Sequence, residues 1–224
     1  MTSTDEGPIR LDGSVWKKRC ALPLVHKIPL AKPSPIPTSF LLALAHRRSA
    51  EKFSPIPLND LATWLYYCAS IQSVHVGDPN RQRRFVGSFG ALHPAHIFLG
   101  SPDGRWCAYV PEDHALGDVL VDADAASQLR TESMQLFSST EATLVALISD
   151  GDLVANYYEN ASGLILRDAG VLLGHAALVA AALGLAFRIL GSSGTPSLEH
   201  VVRNLPFRPV ASGLAWIGGI GQLT

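Results

Sequence analysis

The sequence predicts an α+β fold, and three observations carry that expectation. Apolar residues recur at helical spacing in two early segments, 38–48 and 59–68. Three short apolar runs bounded by turn residues, AHIFLG (95–100), WCAYVP (106–111) and ATLVALISD (142–150), have the length of strands. Finally, AGVLLGHAALVAAALGLAF (169–187) is a continuous apolar run rich in alanine and glycine, with His175 as its only polar residue. Helices are expected to predominate.

Element by element, residues 1–37 read as an irregular, proline-rich arm laid over a surface, because PLAKPSPIPTS repeats proline too often for a helix or a central strand. The remaining domain, 38–224, opens on a helix capped by Thr38 or Ser39, with Phe40, Leu41 and Leu44 as its stripe and an end near Arg48. Asn59 is the expected N-cap of a second helix carrying Leu61, Trp64, Leu65 and Cys68. HVGDPNRQRR (75–84) reads as a polar loop. AHIFLG and WCAYVP form a hairpin across SPDGR, where Pro-Asp-Gly is turn chemistry. A helix within 123–137 and a buried strand at 142–150 follow, and 151–170 returns to helix. The long helix ends at Gly184, AFRILG is a strand, SLEHVVRNL a helix with Ser197 as N-cap and Glu199 near the capping-box position, and VASGLAWIGG the closing strand. There is no internal repeat.

The totals bound the function classes. A chain of 224 residues suits one domain. With 18 Lys+Arg against 19 Asp+Glu, no global field draws it to nucleic acid or an anionic membrane. Three separated cysteines, Cys20, Cys68 and Cys107, suit a reducing compartment, and the polar N-terminus lacks a secretory pattern, so a cytoplasmic setting is expected. The apolar run is long enough to span a bilayer, but its weakly hydrophobic composition and the adjacent Arg167 and Asp168 predict a buried helix in a soluble protein.

Several short stretches hold residues suited to chemistry. Arg47, Arg48 and Ser49 gather two fixed guanidinium charges and a hydroxyl, suited to a phosphate; basic residues at a helix C-terminus also simply complement its dipole. GSFGALHP (87–94) presents backbone groups at Ser88, Gly90 and Ala91 without side-chain bulk, as a flat heteroaromatic ring would require; a tight turn would use the same residues. His93 and His96 lack companions for a metal site, His175 reads as a core histidine, and His114 as exposed. GSSG (191–194) lacks the spacing of a nucleophilic serine elbow, which disfavours a hydrolase. Gly170 and Gly174 share a helix face and permit close approach of another backbone. NYYEN (156–160) offers two phenols that could exchange protons or merely plug a core edge.

Taken in order and spacing, RRSAEKF, GSFGALHP, WCAYVPEDHAL and NYYENASGLILRDAGVLLGHAALVAAALGL resemble the motifs of the flavin-dependent nitroreductase superfamily, and particularly its SagB-type, azoline-dehydrogenase branch, over roughly residues 38–220. The resemblance implies a nitroreductase-like fold: a central antiparallel or mixed sheet flanked by helices, with the long helix at a homodimer interface and FMN bound there. It implies that Arg47, Arg48 and Ser49 hold the FMN phosphate, that Ser88, Gly90, Ala91 and Leu92 line the isoalloxazine, and that Gly191 and Ser192 join the cofactor-binding set. Tyr157, with Tyr158, would manage the substrate proton, and Asn156 stands at a position where the branch carries lysine. Other departures are Glu51 at a usually basic position, Gly163 in place of an arginine, and Gly174-His175 in place of Gln-Asn.

The function so implied is oxidation of thiazoline or oxazoline rings in a ribosomally made peptide, with oxygen reoxidising the flavin. Two other readings stand beside it: an NAD(P)H-dependent nitro or quinone reductase, and a non-catalytic subunit of a peptide-modifying complex, for example alongside a cyclodehydratase.

Overall fold

The computed structural model describes residues 7–11, 18–35 and 37–221. The arm supplies β1 (Ile9–Arg10) and β2 (Leu24–Pro29), and then come α1 (Phe40–His46), β3 (Phe53–Ser54) and α2 (Leu58–Ala69). β4 (Ile71–His75) and β5 (Asp78–Arg84) form a hairpin, and a short 3-10 turn at Phe89–Ala91 leads into β6 (Ala95–Gly100), β7 (Trp106–Val110) and β8 (Ala115–Val119). The second half runs α3 (Ala123–Leu136), β9 (Thr143–Asp150), α4 (Gly151–Ala155), β10 (Tyr158–Glu159), α5 (Ser162–Ala182), β11 (Ala186–Ile189), α6 (Ser197–Val201) and β12 (Pro209–Ile220).

The principal sheet has eight strands, ordered β11-β12-β9-β6-β7-β8-β2 with β3 paired to β12, and every pairing is antiparallel. β9 lies inside it and all eight of its residues are buried. Val145 and Leu147 join Trp64, Leu65, Leu172 and Ala176 on the side covered by α2 and α5. Leu144, Ala146 and Ile148 join Leu129, Leu198 and Trp216 on the side of α3 and α6. Burial on both faces is why this strand reads as an unbroken apolar run rather than an alternating one.

The structure corrects several element assignments. Strands claim as much of the chain as helices do. The arm is not wholly irregular: β2 pairs with β8 as an edge strand, where its prolines lie at or beyond the strand ends. Residues 78–84 are a strand, not a loop, because β5 turns the polar side chains Asp78, Asn80 and Gln82 inward. In 151–170 the helix breaks into α4, β10 and α5. Pro57, not Asn59, stands at the N-cap of α2. Ser197 lies inside α6, where its hydroxyl donates to Glu132, while Glu199 accepts from the Ala211 amide instead of closing a capping box. His114 is buried, bonded through Nδ1 to the Tyr109 hydroxyl at 2.8 Å.

α5 is long and apolar enough to cross a membrane by length and composition. One of its faces packs on the sheet through Ile165, Ala169, Leu172, Leu173, Ala176 and Ala180. The opposite face is bare: Gly163, Gly170 and Gly174 are exposed and have no atom within 4 Å of where a Cβ would stand. Beside it α1 exposes Phe40, Leu41 and Leu44. Expectation and structure therefore differ by half, since α5 is buried on one side and open on the other.

Candidate functional site

The stretch Val86–Pro94 crosses from the β4–β5 hairpin to β6, and its backbone is unusual. Gly90, Ala91 and His93 all sit in the left-handed region, with φ of 56°, 57° and 46°. For two residues with side chains this is a costly conformation, of order 1–3 kcal/mol each, and it persists only where surroundings enforce it. Here they do. The His93 amide donates to Ser88 Oγ at 2.8 Å, the Phe89 amide donates to Asp168 of α5 at 3.2 Å, and the Ala91 and Leu92 amides donate to carbonyls within the turn. Among the five amides from Phe89 to His93, only that of Gly90 has no hydrogen-bond partner among the described residues.

Arg19 of the arm is inserted beneath the same turn. Its guanidinium donates to the carbonyls of Leu92, His93 (3.1 Å) and Asn80 (3.4 Å). Tyr158 lies over it: a Cβ at Gly90 would meet the Tyr158 hydroxyl at 2.8 Å, so glycine is required there to admit the phenol. A cleft of about 420 Å³ opens beside the turn, lined by Ser88, Gly90, Ala91, Arg81, Arg84 and His93. Arg84 donates to Gln82 Oε1 and is depressed to about 9, first by burial and then by the neighbouring Arg19 charge.

Tyr157 occupies a different place from Tyr158. It is fully buried, its hydroxyl lying 2.9 Å from each Asp78 carboxylate oxygen and receiving a hydrogen bond from the Asn80 amide at 3.1 Å. Arg81 braces the cluster, bonded to Asp78 at 3.0 Å with its guanidinium over the Tyr157 ring. Burial raises the Tyr157 pKa above the ordinary phenol value. The Tyr157 hydroxyl is thus engaged by Asp78 and Asn80, whereas Tyr158 is the one that lies against Gly90 of the turn. Asn156, at the C-terminal end of α4, lines a separate cavity with Lys18, Arg19 and Cys20. Sequence reasoning missed Arg19, Asp78, Asn80, Gln82, Arg84 and Asp168, of which only the polar alternation of DPNRQRR left a legible trace.

His93 is buried and His96 half-buried beside these cations. Each imidazole is pushed down to about 3, by burial first and then by the charges of Arg84 and Arg19. Between that value and the ordinary 6.5, an unfolded chain binds protons that the native one refuses, so stability is lost as pH falls through 6.5. From pH 7 to 5.5 the two groups together are expected to cost about 2–3 kcal/mol. Urea unfolding at both pH values, for the natural chain and for His96→Phe, checks this: the variant should lose about half as much, and equal losses would refute the assignment.

The remaining candidates lie elsewhere. Arg47, Arg48 and Ser49 are exposed just past α1, where the Ala50 amide donates to the Phe187 carbonyl beyond the far end of α5. Strand register measures the separation. Phe187 pairs with Ile217 and Ile217 with Thr143, whereas the Val86–Pro94 stretch enters the sheet where Ala95 pairs with Ser149. Six residues of β9 separate those levels, about 20 Å. Within one chain, then, the cations and the glycine-containing turn do not converge. Gly191 and Ser192 follow β11, the Ser192 hydroxyl accepting from the Gly194 amide, and they line neither place.

No protein-family model matches the sequence, and no curated protein matches it. Solved structures do match. A candidate nitroreductase from Ralstonia eutropha JMP134 superposes with a TM-score of 0.59 at 18% identity, over 93% of this chain and 98% of that one. The chain adopts the nitroreductase fold. The Escherichia coli microcin synthetase McbBCD complex, bound to truncated pro-MccB17, contains a chain with the same fold at TM-score 0.53 and 17% identity, over 85% of this chain and 76% of that one. An oxidoreductase containing FMN shares it at TM-score 0.51 and 16% identity, over 85% and 81% of the two chains. The eight antiparallel strands, the long α5 and the turn before β6 are the nitroreductase fold as this sequence builds it.

Proposed function

We propose that this protein is a cytoplasmic, FMN-dependent oxidoreductase working as a homodimer, and that it oxidises azoline rings in a ribosomally made peptide. The observation that carries the proposal is the turn at 88–93, with its left-handed backbone and, among the described residues, an unpartnered amide at Gly90, opening on a cleft beside Arg84. Such a turn suits the edge of a flat ring, and Arg47, Arg48 and Ser49 suit a phosphate. When bound, FMN would supply the redox chemistry. The protein would hold the ring with Ser88, Gly90, Ala91 and Leu92, place Arg84 near it as a fixed positive charge, and offer Tyr158 for the substrate proton while Tyr157 positions that segment.

On this reading a second copy bridges the separation of about 20 Å along the sheet between these groups. A two-fold axis crossing the bare glycine face of α5 reverses the helix direction, and so brings the cationic end of one copy toward the turn of the other. The exposed apolar residues of α1 extend the surface that such a contact would bury. Replacing Gly170 and Gly174 by leucine tests this. Each site is open in the protomer and glycine costs a helix about 1 kcal/mol relative to alanine, so the chain should keep or gain stability. Its dimerisation, measured by analytical ultracentrifugation, should weaken by at least about thirtyfold, with FMN content falling in parallel. A dimer that survives with flavin bound would overturn the arrangement.

One observation favours a second reading, NAD(P)H-dependent reduction of a nitroaromatic or quinone: the Tyr157 hydroxyl is engaged by Asp78. Purified protein reconstituted with FMN separates the readings. A flavin spectrum with turnover of a thiazoline peptide supports the first, and NAD(P)H oxidation with a quinone but no azoline turnover supports the second. A colourless protein that takes up no FMN refutes both.

A further inference from the structure

A second cavity, of about 390 Å³, lies between the arm and β7 and shares Val74, Gln82 and Arg84 with the cleft at the turn. Its size is that of a small-molecule site. Its walls are largely apolar, including Leu22, Ile71, Val74 and Val110, yet Arg19, Arg84 and His96 also line it. Burial lowers the pKa of both arginines, and each guanidinium sits close enough for the Arg19 charge to depress Arg84 further. Neither has a carboxylate within ion-pairing distance among the described residues. Glu112, exposed on the cavity rim, acts on both guanidiniums, as do the buried Asp150 on Arg19 and Asp168 on Arg84, while Asp113 is taken by Lys27 at 2.8 Å.

Two polar atoms here are buried without a hydrogen-bond partner among the described residues: Arg19 Nε and His96 Nε2. His96 is fixed by stacking on Phe207, with ring centres 5.3 Å apart and planes 17° apart. Buried polar atoms almost always find partners. These atoms therefore mark the place of a group that the protein itself does not supply. An anion with acceptor oxygens suits these atoms beside Arg19 and Arg84, and the apolar walls suit a hydrocarbon body attached to it.

We infer that this cavity binds a small organic carboxylate, its head group accepting hydrogen bonds from Arg19 and His96 beside Arg84 and its apolar body lying against Leu22, Ile71, Val74 and Val110. The inference goes beyond the flavin reading and does not depend on it, although Arg84 borders both cavities and would feel an occupant of either.

Isothermal titration calorimetry on the purified chain with hexanoate, benzoate and inorganic phosphate tests it. Because heat is read, not colour, the outcome is independent of flavin content. Hexanoate or benzoate should bind at least tenfold more tightly than phosphate. His96→Phe keeps the buried ring but removes the unpartnered nitrogen, and should weaken carboxylate binding about tenfold. Arg19→Met should weaken it by at least thirtyfold. Because Arg19 also braces the Val86–Pro94 stretch, Val74→Trp provides a variant that disturbs no buried packing: Val74 is half exposed, and a bulkier side chain there should block entry and abolish binding. Phosphate binding as tightly as the carboxylates would overturn the assignment of ligand class. Absence of carboxylate binding, or affinities unchanged in all three variants, would overturn the site.

Discussion

Replacing Arg47 and Arg48 together by glutamate is expected to abolish FMN uptake while leaving the melting temperature of the chain nearly unchanged. Both side chains are exposed, and neither makes an ion pair or a hydrogen bond among the described residues, so the fold does not depend on them. Exposed substitutions of this kind usually alter stability by no more than about 0.5 kcal/mol. A hydrogen bond from a charged donor contributes about 1.5–3 kcal/mol, so losing two and adding repulsion should weaken flavin binding by at least a hundredfold. Glu51 lies beside the pair, and Glu51→Arg should act in the opposite sense by removing a negative charge near the phosphate. Absorbance at the flavin bands after reconstitution and gel filtration reads both effects, and melting curves control for folding. Normal flavin content in the double variant would remove these cations from the site.

Asp78→Ala is expected to produce the largest loss of stability from a single polar side chain in this molecule. The carboxylate of Asp78 is nearly buried and serves three donors at once: the Tyr157 hydroxyl at 2.9 Å, Arg81 Nε at 3.0 Å and the Asn80 amide at 3.1 Å. Removing it takes a hydrogen bond from the buried phenol and leaves the Arg81 charge without its partner. The cost should be about 3–5 kcal/mol, comparable with breaking a buried ion pair from one side. Total stabilities are only about 5–15 kcal/mol, so the variant would sit close to unfolding at 37 °C. Asp78→Asn, which preserves the shape and one acceptor oxygen, should cost about 1–2 kcal/mol. Urea midpoints of the three proteins decide the matter, and a loss below 1 kcal/mol for the alanine variant would show that the cluster does not anchor the 157–159 segment.

The site's legibility in the sequence varied with the kind of force that forms each part. The turn at 86–94 announced itself because glycine and proline restrict or free the backbone locally, and a left-handed φ at Gly90 is a property of that residue alone. The Asp78–Tyr157 cluster gave no such notice. β5 buries Asp78, Asn80 and Gln82, and a strand whose inner face is polar has the period of a strand but the composition of a loop. The partner, Tyr157, lies about 80 residues away, between α4 and β10, so nothing local identifies it. Arg19 was equally silent. In a proline-rich arm it reads as an ordinary surface cation until β2 joins the sheet and carries it under the turn.

Hydrophobic period and turn chemistry by themselves determined that this chain alternates helices with buried strands, that β9 lies inside the sheet, and that α5 is long, apolar and lined with glycine. They could do so because those signals are carried by neighbouring residues, within a few turns or strand steps. Only the tertiary structure decided which polar residues turn inward, that Tyr157 is locked while Tyr158 faces the turn, and that the cations at 47–48 and the glycine-containing turn lie at sheet levels about 20 Å apart along the strands. Those outcomes depend on strand register and on contacts between distant segments, where the order of residues along the chain does not specify their distance in space.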